Sequence, residues 1–407
     1  MTQPDRDGSA ELPKRTGRGR FNWWRRLPWA DIWTTIAAFV LALLIGAILM
    51  IVSDPDVMAK FSYFFGRPGD ALQASADKVG GAYFALLKGA FGGWQAITES
   101  TSQAAPLILA GLGVALAFRT GLINIGAQGQ AIWGAVFAAY IGFALHLPPG
   151  LHLILAILAG VLAGGIWGGI VGFLKARTGA HEVIVTIMLN YVASGMLAYL
   201  LTTTAFRRPG RADPISPVVD WNATFPRLAG SQLHLGFVIA LLAAVAVWWI
   251  LEKSTIGFAL KAVGSNPNAA ATAGMSVSWS TVIAMTLAGA LAGLAGVDAA
   301  LSPSVSGTPV PLSAGIVGTV GFDAVTVALL GRSRPVGVVL AGLLFGALHT
   351  GGLAMQSQAQ TPLTLTTVLQ ALIVLFVAAP ALVGRLLPFL RERRLRTGVP
   401  TSTGSLS

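Results

Sequence analysis

The chain has 407 residues, of which 54% are hydrophobic and 11% charged, and a mean hydropathy of +0.71. That is too apolar for a soluble globular protein, and several apolar runs reach the ~20 residues that cross a bilayer. The net charge of +11 does not point to nucleic acid, because the basic residues flank apolar runs, and the absence of cysteine excludes disulfides and thiolate metal sites.

Residues 1–31 form a basic tail, with Lys14, Arg15, Arg18, Arg20, Arg25 and Arg26. Trp23, Trp24, Trp29 and Trp33 then read as an aromatic belt at the cytoplasmic interface. The first span, 32–52, is longer than the apolar core of a signal peptide and no A-x-A site follows it, so it reads as retained. Residues 54–101 are mixed, and the amphipathic piece Tyr83–Trp94 is expected to lie along the outer surface. Further spans are predicted over 102–119, 129–146, 151–174, 183–204, 235–251, 279–297, 312–331, 335–354 and 363–387. Small residues recurring from Gly160 to Gly172 predict close helix contacts. The expected fold is therefore all-α, a polytopic domain over 32–387 with ten helices, and a C-terminal tail 388–407.

Ten spans place both termini on one side of the bilayer. With that side cytoplasmic, 19 of the 27 Lys and Arg fall inside, which agrees with the positive-inside bias. The segment 205–234 is then an outer loop, and 252–278 a cytoplasmic one.

Two stretches interrupt the apolar pattern. One runs from Phe118 through Asn124 and Gln128 to Gln130; the other covers 300–323 and ends near Asp323. Backbone that leaves helical geometry at membrane depth must be buried in protein or line a watery cavity, and paired interruptions point to a transport site. Asn124, Gln128, Asn190 and Asp323 are the polar candidates for a pathway. Neutral amides can hydrogen-bond an uncharged solute, although buried amides also serve as glue between helices.

Catalytic motifs are missing. There is no G-x-x-x-x-G-K-[ST], so the chain binds no nucleotide through a P-loop, and no H-E-x-x-H or G-x-S-x-G. An enzyme is not expected, and uphill transport must draw on an ion or a partner. Among acidic residues, only Glu182, Asp298 and Asp323 reach membrane depth, a thin set for ion coupling; an ion-coupled secondary carrier remains the alternative. The loop Gly257–Met275 reads as two short helices joined by Gly264-Ser265-Asn266-Pro267, with Lys261 on the first, Ala270 on the second and Gly274 closing it.

That loop, with "AVGSNPNAAATAG" and then "LAGALAGLAG" at Leu287–Gly296, resembles the coupling region of ABC importer permeases of the branched-chain amino acid, ribose and simple-sugar group. "FRTGLINIGAQGQ", "EVIVTIMLNY" at Glu182–Tyr191 and "GFDAVTVALLGRSRPVGVVLAGLLFGAL" at Gly321–Leu348 are similar to the nucleoside-type permeases. The resemblance spans roughly residues 80–385. It departs at Gln128, where the family usually has Glu, and at His181, where it usually has Asn. It implies a type II importer permease in the cell membrane, with a second permease chain or a second copy as partner. Cytoplasmic ATPase subunits would hold ATP and Mg, and an outer lipoprotein would deliver nucleoside; a simple sugar is the alternative substrate. It also implies that Lys261, Gly264, Asn266, Pro267, Ala270 and Gly274 couple to the ATPase.

Overall fold

A computed structural model describes residues 29–378 apart from 229. Among the described residues there is no β-strand, only two isolated bridges, Val218 with Pro311 and Arg227 with His234. Seven helices are long and apolar enough to cross a membrane, so the chain is a multi-pass membrane protein. They are α1 (Trp29–Ser53), α4 (Trp94–Arg119), α6 (Leu151–Thr178), α7 (Glu182–Leu200), α8 (Leu235–Lys253), α11 (Val277–Leu301) and α13 (Pro335–Ala359). Between them lie α2 (Pro55–Phe61), α3 (Pro68–Phe91), α5 (Ala127–Ala144), α9 (Thr255–Ser265), α10 (Pro267–Thr272) and α12 (Val320–Leu330), and α14 (Leu363–Ala378) comes last.

The centre is α11, packed on α4, α5 and α6. Lipid supplies no hydrophobic drive for helix association, so contact density must. The sequence provides it with glycine: a Cβ on Gly164 would sit 2.5 Å from the Gly289 carbonyl oxygen, and one on Gly289 2.3 Å from the Gly164 oxygen. The helices therefore meet backbone to backbone, as the spacing in Gly160–Gly172 predicts.

Several predicted elements come out differently. Tyr83–Trp94 is not a separate surface piece. Residues 83–91 complete α3, whose small residues pack on α13, and Tyr83 donates from Oη to the Leu43 carbonyl of α1. The helix after it starts at Trp94 instead of residue 102. The break falls at Gly92-Gly93, where a Cβ on Gly92 would lie 2.2 Å from the Lys88 oxygen. The span 312–331 is not one helix, because only Val320–Leu330 is helical and the residues before it are turns. The basic tail to residue 28, with Trp23 and Trp24, and everything beyond 378 lie outside the described residues.

Candidate functional site

Between α4 and α5 the chain leaves helical geometry over residues 120–126. Gly121 takes φ +73°, a left-handed conformation natural to glycine, and Leu122 N–H returns to the Ala117 carbonyl. The amide side chains then replace the hydrogen bonds that the helix would have made. Asn124 Oδ1 accepts from Gly126 N–H at 2.9 Å, and its Nδ2 donates to Gln130 Oε1 at 3.1 Å. Asn190, reaching over from α7, accepts from Gly129 N–H at 2.8 Å and donates to the Ile125 carbonyl at 2.9 Å. Asn124, Gln128 and Asn190 are all buried, and each has both amide atoms engaged within the chain. An orphaned main-chain group here would cost about 1–3 kcal/mol, so the amides fix the shape of the break.

Gln128 joins this break to the second one. Its Nε2 donates to the Gly318 carbonyl at 2.7 Å and its Oε1 accepts from Gly321 N–H at 2.9 Å. A Cβ on Gly321 would fall 2.1 Å from the Gln128 nitrogen, so the start of α12 meets the start of α5 at backbone distance. A glutamate carboxylate at 128 could accept from Gly321 but not donate to Gly318. The far end of α12 is tied as well: Arg119 donates from Nε to the Ser333 carbonyl at 3.0 Å. Arg332 and Ser333 both have positive φ, a conformation that costs a non-glycine residue about 1–2 kcal/mol.

The second break lines a cavity of about 430 Å³, within the range of small-molecule sites. Its polar wall includes Glu99, Gln103, Asp298, Ser302, Asp323 and His349, and no Lys or Arg among the described residues lines it. Asp323 accepts from Thr319 Oγ1 through Oδ2 at 2.8 Å. Pro106, inside α4, removes the N–H that would pair with the Ser102 carbonyl, which frees an acceptor at the same wall. Below the mouth, His234 caps α8 by accepting from Gly236 N–H at Nδ1, which places the ring proton on Nε2, 3.4 Å from Ser302 Oγ. Asp298 Oδ1 lies 3.7 Å from Nδ1 and has no hydrogen-bond partner.

Of the sequence-derived pathway residues, then, only Asp323 lines the cavity; Asn124, Gln128 and Asn190 do not. Of the other two acidic residues at depth, Glu182 is paired with Lys175 and Asp298 is at the cavity. His349, an imidazole inside the apolar run 335–354, and Glu99, in the mixed segment 54–101, also line the cavity, and neither stands out in the sequence as a pathway residue.

At the other end of α4, α9 packs on the first break. A Cβ on Gly264 would fall 2.4 Å from the Arg119 oxygen and 2.8 Å from the Thr120 carbonyl carbon. Asn266 caps α10 by accepting from the N–H groups of Asn268 and Ala269, both at 3.1 Å, and Pro267 occupies the first helical position. Gly274 has φ +83°, and Lys261 reaches Glu252 at 3.2 Å on the surface. Ala270 is buried within the chain, whereas Ala271, Ile256 and Phe258 are exposed. From Gln103 at the cavity to Arg119 is roughly 24 Å along the helix axis.

A bundle of membrane-spanning helices with a polar cavity at a helix interruption is the architecture of a solute permease. The chain belongs to the branched-chain amino acid transport system/permease component family, which matches residues 96–378. It is 39% identical over 349 residues to the guanosine ABC transporter permease protein NupP of Bacillus subtilis, covering 84% of this chain and 92% of that one. Identity is 34% over 318 residues to the nucleoside ABC transporter permease protein NupB of Lactococcus lactis, 75% of this chain and 85% of that one. It is 32% over 360 residues to the glucose ABC transporter permease protein TsgB13 of Haloferax volcanii, 86% and 87%. No solved structure matches the chain significantly.

Proposed function

We propose that this chain is the membrane-spanning subunit of an ATP-driven nucleoside importer. Supporting it most is the 39% identity to a guanosine permease along 84% of the chain, in a protein whose cavity wall carries hydrogen-bonding groups and, among the described residues, no Lys or Arg. Asp323, through its free carboxylate oxygen, would accept from a ribose hydroxyl or a base N–H. The surface of α9 and α10, centred on Asn266, Pro267 and Ala271 and steadied by Lys261, Gly264 and Gly274, would dock cytoplasmic ATPase subunits that hold ATP and Mg. Closure of those subunits would switch the bundle between outward and inward access. A second homologous permease, or a second copy of this chain, would complete the pathway, and an outer lipoprotein would deliver the solute.

In this arrangement the chain crosses the bilayer ten times with both termini inside. The eighth crossing is discontinuous: α12 alone, at 11 residues, is about 17 Å long, too short for a hydrocarbon core of about 30 Å. The similarity to a glucose permease favours a second reading, a simple sugar as substrate.

The assembled complex in proteoliposomes decides between these. Labelled guanosine should accumulate only with ATP on the cytoplasmic side, should survive a protonophore, and should compete poorly with glucose. Uptake that persists without ATP and collapses with the ionophore would establish an ion-coupled carrier instead. Preference for glucose would establish the sugar reading.

A further inference from the structure

The geometry points to Gln128 as a positioning residue that transmits movement of the α9–α10 loop to the wall of the cavity, and it rests on the importer reading above. The contacts form an unbroken chain. Gly264 of α9 lies against the Arg119 and Thr120 backbone, too close for any side chain to intervene. Asn124, Gln130 and Asn190 hold residues 120–130 as a rigid block, so a push at one end cannot be absorbed inside it. Two ties run to α12, one from this block and one from Arg119, the α4 residue that adjoins it. One is Gln128 to Gly318 and Gly321 at the start of the helix; the other is Arg119 to Ser333 just past its end. The helix held at both ends carries Asp323 into the cavity. A rigid block and the adjoining Arg119, gripping one short helix at two points, displace it as a unit, and Gln128 is the tie nearest to Asp323.

The alternative is that Gln128 only stabilises the fold, as buried amides in membranes commonly do. The two roles differ in a measurement that needs no ATPase: hydrogen exchange in the purified chain, compared between residues 315–323 and the α11 segment 286–296. In Gln128→Met, which keeps the volume and removes both bonds, exchange over 315–323 should rise about tenfold, with 286–296 unchanged. Gly264→Ala touches nothing in 315–323, yet should raise exchange there by a similar factor. The double variant should exchange no faster than Gln128→Met alone, because both act along one path. Gln128→Glu, which keeps the acceptor for Gly321 and loses the donor to Gly318, should fall between wild type and Gln128→Met. Arg119→Ala cuts the second tie without adding bulk and serves the same purpose as Gly264→Ala if that variant does not accumulate.

The inference is overturned if Gly264→Ala and Arg119→Ala leave 315–323 unchanged, if the double variant is additive, or if Gln128→Met raises exchange equally in 286–296. In the assembled complex, Gln128→Met should keep ATPase association and basal hydrolysis while substrate uptake falls about tenfold. A wild-type chain that associates with no ATPase would defeat the importer reading itself and is recognised separately from the exchange result.

Discussion

The two interruptions have similar sequence signals and opposite physical characters. In 120–126 Asn124 is spent on the Gly126 N–H and the Gln130 side chain, Asn190 holds the Ile125 carbonyl and the Gly129 N–H, and the loop is walled by α5, α7 and α9. In 302–319 the hydroxyls of Ser304, Ser306 and Thr308 bond mainly to one another at an exposed turn, Gly315 has open space around it, and the segment lines the cavity. A broken helix in a membrane protein is thus satisfied either by side chains, which makes it rigid, or by a cavity, which makes it accessible. In the importer proposed above, the first break would be a mechanical part and the second would face the solute.

The largest effect should come from attacking the rigid break. Asn190→Leu orphans Gly129 N–H and the Ile125 carbonyl together, each costing about 1–3 kcal/mol. The expected result is poor accumulation in the membrane and a lower melting temperature in detergent, measured by fluorescence-detected gel filtration over a heating series. Asp323→Asn at the accessible break should do the reverse. Its side chain makes one bond, to Thr319, so melting should stay within about 1 kcal/mol of wild type while guanosine uptake drops about tenfold.

At the loop between α9 and α10 the same contrast operates over one residue. Ala271→Trp projects from the exposed surface and should weaken ATPase co-purification about five- to hundredfold, the equivalent of about 1–3 kcal/mol of overpacking, with normal membrane levels. Ala270→Trp drives bulk into the chain's own packing and should lower the membrane level itself. Equal membrane levels for the two would show that α10 does not seat as described.

A small pH effect should appear where the chain enters its second helix. Asp54 caps α2 and pairs with Lys78 at 2.6 Å; the hydrogen bond from Lys78 holds its carboxyl below the ordinary carboxylate range, against desolvation. A lowered folded pKa means that the contribution is present above the unfolded value of 3.8 and is lost as pH falls through the folded pKa. Melting of the wild type should therefore drop slightly more than that of Asp54→Asn when pH is taken from 5 to about 3.

Much of the fold was readable because apolar length and small-residue spacing are strong signals: Gly160–Gly172 marks α6 for close helix contact, and the structure supplies α11 as the partner, with Gly164 against Gly289. The α9–α10 turn was readable because Asn266-Pro267 specifies a cap by local chemistry. Reading failed where amphipathicity was ambiguous. The small face of α3 serves α13, but a polar-apolar alternation looks the same whether the apolar side meets lipid or protein. It failed again at 312–319, where apolar composition hid non-helical backbone. The sequence offers Asn124, Gln128 and Asn190 either as pathway residues or as glue between helices, and the geometry shows their bonds pointing into the protein.

The contrast between the breaks can be tested directly because the chain has no cysteine of its own. Single cysteines at Gly315, where a Cβ meets open space, and at Leu122, which is buried in the first break, report access by reaction with a water-soluble thiol reagent. The account predicts that Gly315→Cys is modified rapidly, that guanosine delivered to the assembled complex slows this reaction, and that Leu122→Cys stays unreactive throughout. Rapid, guanosine-sensitive modification of Leu122→Cys with an inert Gly315→Cys would contradict it and move the solute route to the first break.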